Sequence, residues 1–289
     1  MIAPEKIHAD HVRQQETVSE NAMDNISDTL NLALVSFSPV WEDIAGNLSR
    51  LDGIAGRIFS SGETGGTDIL VFPEAFATGF SMTPEITQEY GGSGIVGWMK
   101  DTARMYGCAV AGSVYVSDGS SGRPVRYNRF CFALPSGDVF SYDKRHLYFG
   151  QESGSCTVGE SRRLFEWKGW KIMPGVCFDL RFPCWSRNSP ASPYDLYLNV
   201  ANWPSSRGKA ADILLKARAI ENAAYAAMCN RGGSDPLLDY DGKSRIVNYR
   251  GRDKGSVAEI CGVPVTFASL AKPELERYRK AFPVLEHID

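Results

Sequence analysis

The sequence predicts an α/β fold built on a mixed sheet. Three observations lead there. Short apolar runs with strand character alternate with stretches of helical period. Several strands follow one another through Gly-, Ser- and Pro-containing turns, as hairpins do. No repeat and no linker-like stretch divides the chain, so one domain is expected.

The first buried strand is read at 32–37 (LALVSF), followed by a helical pattern over 41–60 and a loop at 62–67. A strand at 69–72 ends in Pro73-Glu74. The spacing predicts a helix over 95–106, a strand over 108–116, a Gly/Ser-rich turn at 117–124 and a strand over 129–134. After a Pro-Ser-Gly-Asp turn, a strand at 139–142 leads to Lys144, and a long loop at 148–160 carries Glu152. Segments 164–167 and 171–176 read as a hairpin, and a strand over 194–200 ends at Asn202-Trp203. The clearest helix covers 210–225, with Ile213, Leu214, Ala217, Ile220 and Ala224 on one apolar face. Strands at 226–230, 244–248, 256–260 and 263–267 and a charged helix at 273–282 complete the chain.

Composition excludes several function classes. The 289 residues carry a formal charge of −3 and no basic block, which argues against a nucleic-acid partner. No segment reaches the ~18 consecutive apolar residues of a membrane helix. The cysteines number 7, an odd count without a CxxC pair, which points to reduced thiols in a cytoplasm rather than to disulfides or zinc. No metal and no other cofactor is expected, because no His/Cys/Asp cluster has ligand spacing. Residues 1–28 are polar with acidic residues, unlike a signal or transit peptide, and read as an extension ahead of a domain at 29–289.

Chemistry concentrates in Pro174-Gly175-Val176-Cys177-Phe178-Asp179-Leu180-Arg181-Phe182-Pro183, where an apolar strand runs into a turn. A sharp strand-to-turn junction can present a nucleophile at the tip of a sheet. The same stretch also suits an inert buried thiol. Glu74 and Lys144 stand at two other strand ends, and Glu, Lys and Cys together suit acyl transfer. His146 raises a Cys–His dyad as a rival arrangement.

The segments PEAFATGF, YDKRHL and GVCFDLRFP resemble those that carry the Glu-Lys-Cys triad of the nitrilase superfamily of carbon–nitrogen hydrolases. The resemblance runs from about Asn31 to the C-terminus. It implies an α-β-β-α sandwich of two mixed sheets flanked by helices. It implies Cys177 as nucleophile, Glu74 as proton carrier and Lys144 as the group that holds the thiolate and later meets the oxyanion. The Phe178 N–H would be the second oxyanion donor, and Glu152 a second glutamate orienting Lys144 or the substrate. The runs CFDLRFPCWSRN and YDLYLNVANWPSSR resemble the omega-amidase branch, which acts on the terminal amides of 2-oxoglutaramate and 2-oxosuccinamate. A small acidic substrate needs a cation, for which Arg145 and Arg207 are candidates, with Tyr148, Asn202 and Trp203 as further contacts. The 210–225 helix would pack at a homodimer interface. Asp179 and Arg181 are expected to pair across the turn, and Arg218 and Glu221 to form an ion pair beneath the site. Ala75 and the stretch 237–244 depart from the family pattern. Hydrolysis of nitriles or N-carbamoyl compounds, a non-catalytic binding protein on the same fold, and a redox pair of Cys177 with Cys184 remain as alternatives.

Overall fold

The computed structural model describes residues 27–60, 66–118 and 125–287. The extension read at 1–28 therefore lies almost wholly outside the described residues, as do the loop at 62–65 and the tip of the turn at 117–124.

In chain order, β1 (Thr29–Val35) leads to α1 (Ile44–Ser60), β2 (Ile69–Val71), a two-residue β3 (Gln88–Glu89) and α2 (Gly94–Tyr106). β4 (Ala109–Asp118) and β5 (Val125–Ala133) form a hairpin that β6 (Val139–Asp143) extends. The short α3 (Gln151–Ser155) precedes β7 (Phe165–Trp167), β8 (Trp170–Val176), α4 (Pro183–Ser186) and β9 (Leu196–Ala201). Then come α5 (Gly208–Glu221), β10 (Tyr225–Asn230), β11 (Gly232–Ser234), β12 (Asp239–Asp241), β13 (Arg245–Val247), β14 (Ser256–Ile260), β15 (Val263–Ala271) and α6 (Lys272–Ala281).

These strands make two large mixed sheets. The first has 8 strands in the order β14-β15-β1-β2-β4-β5-β6, with β3 alongside β4. The second has 5, in the order β13-β10-β9-β8-β7. Parallel pairs occupy the centre of each sheet (β1 with β2, β2 with β4, β8 with β9, β9 with β10), and antiparallel strands flank them. A central strand covered on both faces reads as a near-continuous apolar run, and β1 shows why. Leu30, Leu32 and Leu34 point into the core between the sheets, whereas Ala33 and Val35 pack beneath Leu51, Ile54 and Ile58 of α1. Beyond the second sheet, Ala211, Leu215 and Ala219 of α5 and Leu275 of α6 complete the same inter-sheet core cluster. The layers are thus helices, sheet, sheet, helices, the sandwich the resemblance implied.

Three local expectations change. Glu152 sits on a helical turn, α3, not in an open loop. The helix read at 210–225 ends at Glu221, and it buries Ala211, Leu215, Arg218 and Ala219 rather than the face named from the sequence. Ile213 and Ile220 are exposed (59% and 49%), because apolar residues occur on more than one side of this helix and its own core takes only one. The β11–β12 hairpin, whose second strand lies in the stretch that departs from the family, was not anticipated. Among the described residues, no helix is long and apolar enough to cross a membrane.

Candidate active site

Glu74 lies past the end of β2. Pro73 cannot donate to a ladder, so the chain leaves the sheet there. The next residue, Ala75, has φ 47° and is tied by its N–H to Ser113 Oγ at 3.0 Å. The Glu74 carboxylate is fully buried. Its Oε1 accepts from Lys144 Nζ and from Asn128 Nδ2, each at 2.8 Å, and its Oε2 accepts from the Asn202 backbone N–H at 2.9 Å.

Lys144 follows β6 and is equally buried. Its Nζ also donates to Glu152 Oε1 at 3.1 Å and Oε2 at 2.9 Å. Burial works against the ammonium, but Glu152 and Glu74 outweigh it and hold the lysine pKa well above its ordinary value. Glu152 Oε2 takes the Tyr148 N–H at 2.6 Å, and its Oε1 takes Asn128 Nδ2 at 2.7 Å. Burial raises the Glu152 pKa, against the pull of Lys144.

Cys177 stands directly after β8 and opens a 3-10 turn, Cys177–Arg181. Its φ is 44°, a left-handed conformation that only a sharp junction imposes on a side chain of this kind. Gly175 is required two residues earlier, because a Cβ there would run into the Tyr197 hydroxyl. Asp179 locks the turn. Its Oδ2 accepts from the Val176 N–H at 3.0 Å and the Tyr142 hydroxyl at 2.9 Å, and its Oδ1 meets the His146 N–H at 2.9 Å and Nδ1 at 2.8 Å. Arg218, ion-paired with Glu221 at 2.7 Å as expected, donates to the Leu180 carbonyl at 2.8 Å and braces the turn from α5.

Burial, then the Glu74 charge, push the Cys177 thiol well above its usual range, and Lys144 only partly offsets this. Burial and Glu74 both favour the thiol over the thiolate. The Lys144 ammonium favours a thiolate, as expected of it, against the larger opposing effect of burial.

The other named residues divide. Asp179 and Arg181 do not pair; the Asp179 oxygens are filled, and two steps along a 3-10 turn face away from each other. The Arg181 guanidinium lies 4.9 Å from the Trp203 ring centroid instead. Arg145 donates to the Gly159 carbonyl at 3.0 Å and covers Trp185, which commits it elsewhere. Arg207 lies 5.6 Å from the Tyr148 ring centroid and has no ion-pair partner among the described residues. Tyr148 packs edge-on against Phe178 at 5.5 Å. The Phe178 N–H falls in the first turn of its 3-10 segment, where an N–H has no intrahelical acceptor. Trp203 is held by Asn230 Oδ1 and by the Arg207 carbonyl, and the Asn202 side chain is buried without a hydrogen-bond partner among the described residues.

His146 stacks on Phe182 at 3.8 Å and turns Nδ1 to Asp179, so the structure offers no Cys–His dyad. His146→Ala removes one of the contacts to Asp179 and keeps its backbone N–H. It is expected to retain at least about a third of wild-type kcat, since one partly exposed hydrogen bond contributes about 0.5–1.5 kcal/mol to stability and none to chemistry. Measured turnover as low as that of Cys177→Ala would restore the dyad.

Asn128 was missed by the sequence reading. Its one signal was register: β5 begins at Val125, earlier than read, and Asn128 then falls on the same face as Phe130 and Phe132, a polar residue at an inward position.

Comparison with known proteins agrees with this geometry. A family model described as carbon-nitrogen hydrolase matches residues 31–258. The chain is 39% identical over 266 residues to omega-amidase YafV of Escherichia coli strain K12, covering 90% of this chain and 97% of that protein. It is 32% identical over 237 residues to the 2-oxoglutaramate amidase of Bacillus subtilis, covering 80% and 89%. Among solved structures, the CN-hydrolase superfamily protein XC1258 of Xanthomonas campestris, which carries an arsenic adduct in its active site, superposes with a TM-score of 0.80 at 35% identity, covering 90% and 97%. Saccharomyces cerevisiae Nit3 shares the fold, with a TM-score of 0.78 at 22% identity and coverage of 89% and 96%. A strand-end thiol facing a buried glutamate, the family match across most of the chain and these relatives lead to one conclusion: the chain belongs to the carbon–nitrogen hydrolases of the nitrilase superfamily, enzymes that cleave carbon–nitrogen bonds other than peptide bonds.

Proposed function

We propose that this enzyme hydrolyses the terminal amide of small ω-amido keto acids, 2-oxoglutaramate and 2-oxosuccinamate, through a thioester on Cys177. The observation that carries the reading is the strand-end Cys177, held at a sharp turn, together with the buried Glu74, whose carboxylate is fixed on three sides. The names borne by the Escherichia coli and Bacillus subtilis relatives support the substrate class.

In this mechanism the Cys177 sulfur attacks the amide carbon as its proton passes to Glu74. The tetrahedral oxyanion is met by Lys144 Nζ and the Phe178 N–H. The carbon–nitrogen bond breaks, Glu74 returns the proton to the leaving nitrogen, and ammonia departs. Water then attacks the thioester, gives a proton to Glu74, and the carboxylic acid leaves as the thiol is restored. Glu152 keeps Lys144 charged and aimed throughout. Arg207 and Arg181, each over an aromatic ring and neither in an ion pair among the described residues, are the cations we assign to the substrate carboxylate.

The test is ammonia release from 2-oxoglutaramate beside 2-oxosuccinamate, a simple nitrile and an N-carbamoyl amino acid. The two keto acid amides are expected to lead by at least about tenfold in kcat/KM, the ~1.4 kcal/mol that one buried carboxylate contact readily supplies. Faster turnover of the nitrile or carbamoyl compound would overturn the substrate reading. We further propose a homodimer, supported by Ile213 and Ile220 exposed along α5, which light scattering in solution would refute by returning a monomer mass. The free state of all described cysteines supports a reducing compartment such as the cytoplasm, which cell fractionation can check.

A further inference from the structure

We propose that Asn128 is a positioning residue for catalysis: its carboxamide nitrogen clamps Glu74 and Glu152 together and keeps both carboxylates charged. One nitrogen serves both partners, with Nδ2 lying 2.8 Å from Glu74 Oε1 and 2.7 Å from Glu152 Oε1. An NH₂ group has two hydrogens, and here each is directed at a different carboxylate. The side chain cannot be reversed, because its oxygen would then face two carboxylate oxygens at those distances. Oδ1 consequently has no hydrogen-bond partner among the described residues, in a residue only 1% exposed. A buried acceptor left unmatched is costly and rare. That both hydrogens go to the carboxylates at this cost indicates that the clamp, not the packing of β5, sets the residue.

The backbone joins the same device. The Asn128 carbonyl accepts the Lys144 N–H at 3.0 Å, so one residue fixes the lysine's main chain and both carboxylates that its ammonium serves. The charge balance explains the need. Two buried carboxylates share one ammonium, and a hydrogen bond donated to a charged carboxylate favours that form. Without Asn128, one of the pair takes up a proton more readily, and a protonated Glu74 cannot receive the proton of Cys177. The ionisable groups around the pair are Lys144, Cys177, Tyr115, Cys156 and, toward Glu74, Tyr240. Lys144 is the one cation among these groups, so no second positive charge among them offsets the loss of the Asn128 hydrogens.

This inference rests on Glu74 acting as the base, and its test compares Asn128→Ala and Asn128→Asp with the wild type. The aspartate opens no cavity but sets a third acid against the pair, so its acid limb should move at least as far as that of the alanine. The readout is the pH profile of kcat/KM for 2-oxoglutaramate. Both variants are expected to lose at least ~100-fold in kcat at neutral pH, with KM within about threefold, and to move the acid limb upward by about one pH unit or more. A wild type that ignores 2-oxoglutaramate refutes the substrate reading alone. The profile is then taken as the rate of iodoacetamide labelling at Cys177, read by mass spectrometry, with the same shift expected of the acid limb. An acid limb that coincides with the wild type in either folded variant overturns the proposal. So does failure of both variants to fold, which would assign Asn128 to the sheet and not to the carboxylates.

Discussion

Cys177→Ala is expected to give a folded protein with no measurable amide hydrolysis, a loss on the order of 10⁴-fold or more in kcat. The backbone should tolerate the change, since alanine meets the same restriction at φ 44° that cysteine already bears. Asp179 and Arg218 hold the turn through main-chain atoms and neighbours other than the sulfur. Stability should therefore shift by no more than about 1 kcal/mol, or ~2–4 °C in Tm for a domain of this size. Cys177→Ser should be as inactive, because a serine hydroxyl is a far weaker nucleophile than a thiol and no imidazole among the described residues is aimed at it. The check is ammonia release alongside thermal unfolding. Should Cys177→Ala retain more than a few per cent of turnover while Cys184→Ala loses it, the nucleophile has been misassigned; Cys184 is an exposed thiol in α4.

Lys144→Arg should also be nearly inactive, although the charge is kept. The ammonium sits in a fully buried space with both carboxylates at 2.8–3.1 Å, fitted to a compact donor. A planar guanidinium is larger, and overpacking of this kind costs about 1–3 kcal/mol. It also removes the point donor from the oxyanion, a loss of ~10²–10³ in kcat when one such donor goes. Lys144→Met is the contrasting variant. It leaves Glu74 and Glu152 without their cation, and breaking a buried pair from one side costs about 3–5 kcal/mol, so this variant should lose stability as well as turnover. The thiol responds in a direction that can be read separately. Since Lys144 pulls the Cys177 pKa down, its removal should move iodoacetamide labelling to still higher pH, whereas Lys144→Arg should move it little. Near-wild-type turnover in Lys144→Arg would mean that charge alone suffices and would remove the oxyanion role.

The strand ends were legible because each carries its own stop. Pro73 ends β2 before Glu74, Gly175 precedes the Cys177 turn, and Asp143 closes β6 before Lys144. Such signals are local, and local chemistry is what a sequence displays. Glu152 was located but its helix was not, since Gln-Glu-Ser-Gly-Ser is too short and too polar to show a period. The supposed Asp179–Arg181 pair failed for the opposite reason. Opposite charges two residues apart look adjacent on paper, and only the 3-10 geometry and the distant Tyr142 and His146 show where Asp179 is spent. The exposed stripe on α5 shows the limit of periodicity: it marks an apolar face without saying whose core that face enters. Asn128 needed the register of β5 and the positions of two glutamates 54 and 24 residues away in sequence.

The Glu74–Asn202 hydrogen bond, at 2.9 Å across 128 residues of sequence, has a kinetic meaning. Asn128 lies in the eight-stranded sheet and Glu74 and Lys144 follow two of its strands, whereas Cys177 and Asn202 follow strands of the five-stranded one. Neither sheet holds a complete proton path. A refolding chain with both sheets formed but not yet docked would present full secondary structure and an idle thiol. Turnover regained during refolding therefore reports that one sheet has closed upon the other.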